Sequence, residues 1–222
     1  MLVKRRLLSF LLLLFIAILV VYKKDIKPVF VSGDILFQDT SRGDISKAIK
    51  KVTEDENNSK SFSHVGILQI DDKGTKFVLE AITEGGVSKT PFDTFLNRSL
   101  TDNGEPKVVV CRLKEKYRDE INVALEYGSK LIGYPYDNVY TIGDSMYYCS
   151  EYVYEMLHNT GEHKDIFKLN PMTFKDDDTG DYLPFWVKYY DSLNVDIPEG
   201  KLGLNPNGMY KSNNIDSIYS FY

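Results

Sequence analysis

The chain has 222 residues, 43% of them hydrophobic and 27% charged, with 16 Tyr, 12 Phe and one Trp. That length and balance suit one well-packed core with room for an appendage and exclude a disordered chain. A net charge of -5 excludes a basic nucleic-acid-binding surface, and the surplus of Tyr and Phe suits half-buried rings or a groove, or reflects compositional bias.

Lys4-Arg5-Arg6 precedes an uncharged run from Leu7 to Tyr22, which Lys23-Lys24-Asp25 closes. A basic segment followed by an apolar one has the layout of a secretory signal. At helical rise the run spans about 24 Å, short of the about 30 Å of a bilayer core. No small-residue cleavage site and no cysteine for lipid attachment follow it. Residues 1–24 are therefore expected to be an uncleaved signal anchor, with a cleaved signal peptide as the alternative, and residues 25–222 to be the folded domain. Basic residues flank the run on both sides. The signal-like layout places the domain outside the cytoplasm, periplasmic or extracellular, and secreted if the signal is cleaved.

Residues 28–38 read as a strand segment, with Ile35-Leu36-Phe37 its apolar end. The stretch 39–60 is polar apart from a short amphipathic piece at Ile45, Ala48, Ile49 and Val52. Residues 62–70 and 76–82 form two β-type runs around Asp71-Asp72-Lys73-Gly74, a hairpin signal. Residues 107–113 make a third strand. Residues 120–132 carry helical spacing and stop at Gly133, and a second helix covers 147–157. Residues 159–222 read as irregular and turn-rich. Strands followed by helices around one core give an α+β fold, an antiparallel sheet packed against helices.

Chemistry concentrates in two places. Cys149 opens the second helix, where free N–H groups and the helix dipole favour a thiolate, the form in which cysteine attacks. The plainer reading is a small core residue on an apolar helix face. His64 interrupts the apolar strand run Phe62–Leu68 and shares a strand face with Gly66, which leaves a gap for a ligand or another backbone. Its plainer reading is a hydrogen-bonded core histidine. Glu80 interrupts the next apolar run, Val78–Ile82. If Ile70 pairs with Gly74, Glu80 lies directly across from His64 and could hold the imidazole; if Ile70 pairs with Thr75, Ala81 takes that place. Otherwise Glu80 is a surface charge at a strand edge. The pair stands if the Cys149 sulfur and a His64 ring nitrogen lie within about 4 Å, and falls if they lie on opposite faces of the sheet.

Other constellations are weaker. Cys111 lies in a buried-strand run; a disulfide to Cys149 would consume the thiol, and a free buried cysteine is the default. His158, Glu162 and His163 lack the spacing of a zinc helix, and residues 176–181 lack the closing Glu of a calcium loop. Tyr136-Asp137 either lines the cleft near Cys149 or makes a turn.

Five segments occur in an order that resembles a known family: Gly33-Asp34-Ile35-Leu36-Phe37-Gln38, Ser63-His64-Val65-Gly66-Ile67, Val78-Leu79-Glu80-Ala81, Gly133-Tyr134-Pro135-Tyr136-Asp137 and Tyr148-Cys149-Ser150-Glu151. A tail at residues 194–200 fits as well. The chain resembles, over residues 33 to about 219, the permuted papain-like amidases, the YiiX and YebB-like branch of the NlpC superfamily of cysteine hydrolases. The resemblance implies a circularly permuted papain-like fold, in which the histidine strand precedes the cysteine helix. It implies Cys149 as nucleophile, His64 as base and Glu80 as the orienting polar residue, with no metal or organic cofactor. The expected activity is cysteine-dependent hydrolysis of an amide or ester through a thioester. Cell-wall peptides are the substrate class the superfamily implies; lipid-linked amides are the one the anchor and aromatic content suggest. A non-catalytic peptide- or acyl-binding module and an acyltransferase are the alternatives. The membrane is the expected partner through the N-terminal segment, and no nucleic acid is expected.

Overall fold

The computed structural model describes residues 28–40, 43–53, 60–160 and 166–222. The chain separates into two units, residues 1–30 and 31–222, and the second holds all the elements below. The expected anchor at residues 1–24 lies outside the described residues; among those described, no helix is long and apolar enough to cross a membrane.

A six-stranded antiparallel sheet forms the frame. Its strands are β1 (Ile35–Gln38), β2 (His64–Ile70), β3 (Lys76–Ile82), β4 (Gly86–Pro91), β5 (Val108–Leu113) and β8 (Ile215–Ser220), in the order β4-β3-β2-β1-β5-β8. A two-stranded ribbon, β6 (Asn170–Pro171) with β7 (Leu202–Gly203), lies apart from it. β1 sits between β2 and β5 with all four residues buried, which is why Ile35-Leu36-Phe37 is a continuous apolar run rather than an alternating one. The helices are α1 (Asp44–Thr53), α2 (Phe92–Asn97), α3 (Ile121–Lys130), α4 (Cys149–His158), α5 (Pro184–Leu193) and α6 (Pro206–Tyr210).

Strand alternation divides the sheet into two faces. Ile35, Phe37, Val65, Ile67, Leu79, Ala81, Val109 and Cys111 form the main core together with Ala124 and Leu125 of α3 and Val153, Met156 and Leu157 of α4. The close approach of those two helices requires Gly128: a Cβ there would lie 2.1 Å from the Met156 sulfur, and the Gly128 carbonyl accepts from the Tyr152 hydroxyl at 2.8 Å. His64, Gly66 and Glu80 alternate to the other face, where α2 packs on β3 and β4 and the Phe95 carbonyl accepts from Gln38 Nε2 at 2.7 Å.

Three expectations change. The β2–β3 hairpin adopts neither expected pairing: Ile70 pairs with Lys76. Asp71 is the cause, since its side chain accepts from the Lys73 and Thr75 backbone N–H groups at 2.9 and 2.8 Å and holds a wider loop. Continuing this register sets Gly66, not His64, opposite Glu80. The slip from the expected pairing is two residues, so Glu80 keeps the His64 face. Residues 159–222 are more regular than expected, supplying α5, α6 and the edge strand β8. The third change is at residues 86–97, where β4 and α2 extend the sheet and cover its second face.

Candidate active site

The β2–β3 ladder runs from Ile70↔Lys76 to Ile67↔Leu79, so His64–Gly66 and Glu80–Ile82 lie beyond it. α4 packs against both strands. Tyr148 takes an extended conformation (φ -86°, ψ 167°) as N-cap and Cys149 is the first helical residue. The entry of the chain into α4 is fixed by Glu151, whose carboxylate accepts from the Tyr148 N–H at 3.4 Å and the Gly143 N–H at 3.2 Å. The Tyr148 hydroxyl accepts from the Leu204 N–H at 3.1 Å. Burial pushes the Glu151 carboxyl up to about 8, against the pull of those two N–H groups.

His64 links Cys149 to Glu80. Its Nε2 lies 2.6 Å from Glu80 Oε2, and Cys149 is near enough to act on the charge of its ring. With Nε2 committed to Glu80, Nδ1 is the nitrogen left for the sulfur. The sulfur contacts Ser150 Oγ at 3.9 Å, and the Val65 backbone N–H adds to the groups that favour its anion. All three side chains are buried, with exposures of 5% for Cys149, 8% for His64 and 0% for Glu80. Burial alone would neutralise all three. For His64 that penalty is outweighed by the Cys149 and Glu80 contacts, which raise its pKa to about 9. For Cys149 the penalty is outweighed by His64, with Ser150 and the Val65 N–H helping, and the thiol is lowered from its ordinary value. The arrangement favours a thiolate–imidazolium pair.

Glu80 is the most constrained of the three. Its Oε1 accepts from Thr90 Oγ1 at 2.5 Å and Arg98 Nη2 at 2.6 Å, and its Oε2 accepts from Arg98 Nη1 at 2.7 Å in addition to His64. Burial opposes its charge, but Arg98 and then His64 hold the carboxyl down at about 2. Gly66 makes room for it: an added Cβ would lie 2.5 Å from Val78 Cγ1 and 3.3 Å from Glu80 Cβ.

Two adjoining cavities open on this array and share Ile49, Ser63 and Tyr140 as walls. One, about 110 Å³, is lined by Cys149, Ser150 and an apolar group including Val52, Tyr148, Phe174 and Trp186. The other, about 390 Å³, is lined by His64, Arg98, Glu84, Tyr136 and the Thr40–Ser46–Ser63 hydroxyls, which are joined at 2.7 and 2.6 Å.

The structure thus brings Cys149, His64 and Glu80 into one connected array. Tyr136 and Asp137 divide the two roles open to them: Tyr136 lines the larger cavity, while Asp137 is buried in a turn, accepting from the Val139 and Thr141 N–H groups at 2.7 and 2.6 Å. Cys111 is free and buried, and burial pushes its thiol up to about 12. His158 stacks on Tyr154 at a ring-centroid distance of 4.7 Å, and His163 lies outside the described residues. Residues 176–181 form a turn in which Lys51 pairs with Asp176 and Asp178. Sequence reasoning missed Thr90 and Arg98. One signal was available: a carboxylate placed in an apolar strand needs a cationic partner, and of the described arginines Arg112 serves Asp34 and Arg118 serves the Leu113 carbonyl.

A family model described as permuted papain-like amidase enzyme, YaeF/YiiX, C92 family, matches residues 30–219. The uncharacterized protein YiiX of Escherichia coli (strain K12) is 34% identical over 129 residues, a match spanning 58% of this chain and 57% of that protein, a little over half the curated relative's length. The crystal structure of metalloprotein yiiX from Escherichia coli O157:H7 resembles this chain with a TM-score of 0.67 over 85% of this chain and 96% of that one, at 23% identity, a likeness of fold. The histidine strand ahead of the cysteine helix, the antiparallel sheet packed against helices and a family match over most of the sequence lead to one assignment: this chain belongs to the permuted papain-like amidase family of YaeF and YiiX.

Proposed function

We propose that this chain is a cysteine-dependent hydrolase of amide bonds, with Cys149 as nucleophile, His64 as the base and acid, and Glu80 as the residue that orients the imidazole. The observation that carries the reading is the placement of His64 between Cys149, at the start of α4, and Glu80, whose Oε2 lies 2.6 Å from His64 Nε2. The thiolate adds to the amide carbonyl, and the C–O π electrons become an oxyanion. The Cys149 backbone N–H, among the first-turn donors with no partner earlier in the helix, is suited to receive it. Collapse of the adduct expels the amine as His64 gives it a proton. Water, deprotonated by His64, then cleaves the thioester, returning a carboxylic acid and the free thiolate.

A peptide-type amide is the substrate class that goes with the family. The apolar cavity beside Cys149 suits an apolar substituent on the acyl side, and the larger polar cavity beside His64 suits the leaving amine. YiiX is called a metalloprotein. In this chain, among the described residues, no group of three or more His, Cys, Asp or Glu is placed to hold a metal ion, so the described residues do not fit such a site. Anchorage through residues 1–24, with the domain outside the cytoplasm, accompanies this reading on the strength of the sequence pattern alone.

Iodoacetamide labelling across pH tests the proposal. Cys149 is expected to react at a pH well below that needed for Cys111, and His64→Ala is expected to erase the difference. Equal and slow labelling of both thiols in the unaltered protein would refute it.

A further inference from the structure

We infer that Arg98 is a positioning residue of this site: its guanidinium, hydrogen-bonded through both terminal nitrogens to the two oxygens of buried Glu80, fixes the orientation and charge of the carboxylate that holds His64. The inference rests on the reading of Cys149, His64 and Glu80 above and adds a fourth member to it.

The geometry is that of a fork. A carboxylate has about four lone-pair sites, and here four hydrogen bonds fill them, two of them from Arg98. Each oxygen takes one arginine N–H and one other donor, so the carboxylate cannot turn about its axis without breaking a charge-assisted bond. Lysine, a single rotating point charge, could supply the positive charge but not the plane. Arg98 is itself held in place. It caps the C-terminus of α2, its N–H reaches the Phe95 carbonyl at 3.3 Å, and its guanidinium lies 5.4 Å from the Phe95 ring centre. The same ring lies 5.9 Å from the His64 ring, so one aromatic side chain backs both cations. Arg98 also reaches the larger cavity, with its side chain 28% exposed.

Charge is the second part. Thiolate, imidazolium, carboxylate and guanidinium alternate in sign along the array, and Arg98 cancels the charge that Glu80 would otherwise leave uncompensated. The other ionisable groups facing the guanidinium are His64 from β2, Glu80 from β3 and, across the cavity, Glu84, Tyr136 and Tyr140; β4 contributes the neutral Thr90, and α1 contributes Ile45, Ser46 and Ile49. Removing this cation makes the site more negative. Both the thiol and the imidazolium then hold their protons to higher pH. A residue that merely pins α2 to the sheet would change stability and leave those titrations where they are.

The test uses the full chain with Cys111→Ala, so that one thiol reacts, and follows the iodoacetamide rate of Cys149 against pH. The rate of a thiolate–imidazolium pair rises in two steps, first when the thiol ionises and again when the imidazolium deprotonates and the sulfur becomes more nucleophilic. In Arg98→Met both steps are expected to move up by about one pH unit, with an about tenfold slower rate on the lower step at fixed pH. In Arg98→Lys the steps are expected to stay nearer their original positions, while the downfield imidazole N–H proton signal of the His64–Glu80 bond is lost. Unmoved steps in folded Arg98→Met would overturn the charge role. Should that variant not fold, an unchanged N–H signal in Arg98→Lys would overturn the positioning role. An unaltered protein whose lower step lies at the pH of an ordinary cysteine would instead sink the thiolate reading itself, whatever the Arg98 variants do.

Discussion

Glu80→Gln keeps the shape of the orienting residue and removes its charge, and the structure sets the size of the result. His64 stands at about 9 against an ordinary 6.5, a net rise of about 2.5 units. Burial pulls the other way, so Cys149 and Glu80 together supply more than that net rise. If Glu80 supplies even a minor share, its loss lowers the imidazolium by about one unit or more, or about 1.4 kcal/mol. Removing a negative charge favours deprotonation of both neighbours, so both steps of the Cys149 alkylation profile should move down in pH, the upper one from about 9 to about 8 or below. The direction is opposite to that expected for Arg98→Met, and the opposition separates charge effects from general damage. The assay is the alkylation rate in the Cys111→Ala background, with far-ultraviolet circular dichroism to establish that the variant is folded. An upper step still near 9 in folded Glu80→Gln would refute the assignment of Glu80 as the support of the imidazolium, whatever its distance from the ring.

Three further outcomes follow from the same geometry. Gly66→Ala puts a methyl 2.5 Å from Val78 Cγ1 and against Glu80, so it should cost about 1–3 kcal/mol in urea unfolding and move the alkylation steps as Glu80→Gln does; an unchanged midpoint would show that the strands can part there at no cost. Trp186→Phe removes a buried indole N–H that has no partner and widens the cavity beside Cys149, so stability should change by less than the about 3–5 kcal/mol of a Trp→Ala truncation. In that variant a bulky apolar haloacetamide should gain in rate relative to iodoacetamide, and an unchanged ratio would mean the cavity does not receive the reagent. The pairing also sets a pH window for stability. Glu80, lowered from 4.5 to about 2, contributes stability that is present above 4.5 and lost as pH falls through about 2. His64, raised from 6.5 to about 9, contributes stability that is present below 6.5 and lost as pH rises through about 9. The melting-temperature gap between the unaltered protein and His64→Gln should therefore be widest between about pH 4.5 and 6.5 and narrow toward pH 9; a gap that is flat with pH would contradict it.

The parts of this protein that were legible in its sequence are those governed by local pattern. β1, β2, β3 and β5 announce themselves as apolar runs, α3 and α4 by helical spacing, and Cys149 by its place at a helix start. What was not legible depended on distant partners or on a turn. The hairpin register turned on how Asp71 folds its loop, and a two-residue change there leaves the face of Glu80 intact while moving it from His64 to Gly66. β8 is an edge strand of mixed polarity, Ile215–Ser220, whose pairing with β5 spans a long stretch of sequence and has no local signature. α5 begins at Pro184 after Leu183, with no Ser, Thr, Asp or Asn at its cap, and its inward side is aromatic rather than aliphatic. Arg98 follows a six-residue helix too short to show a period, and only the requirement that a buried carboxylate be paired points to it.

The meeting of His64 with Cys149 rests on a local opening of the sheet. By alternation His64 and Glu80 face α2, whereas Cys149 belongs to the core on the other side with Val65, Ile67 and Leu79. A continuous β2–β3 ladder would keep them apart, and the expectation that the site fails if the sheet separates its members would then apply. The ladder stops at Ile67↔Leu79, and beyond it the Val65 N–H is among the groups that favour the Cys149 anion. α4 packs against both strands, and His64, the first residue of β2, lies between the sulfur and Glu80. This accounts for the demands on the neighbouring positions. Position 66 must be small because Glu80 and Val78 crowd it, and Glu80 needs Thr90 and Arg98 because the parted strands leave its carboxylate buried with only His64 otherwise. Closing the ladder by two more residue pairs would satisfy more backbone hydrogen bonds and remove the site, so the opening costs backbone pairing.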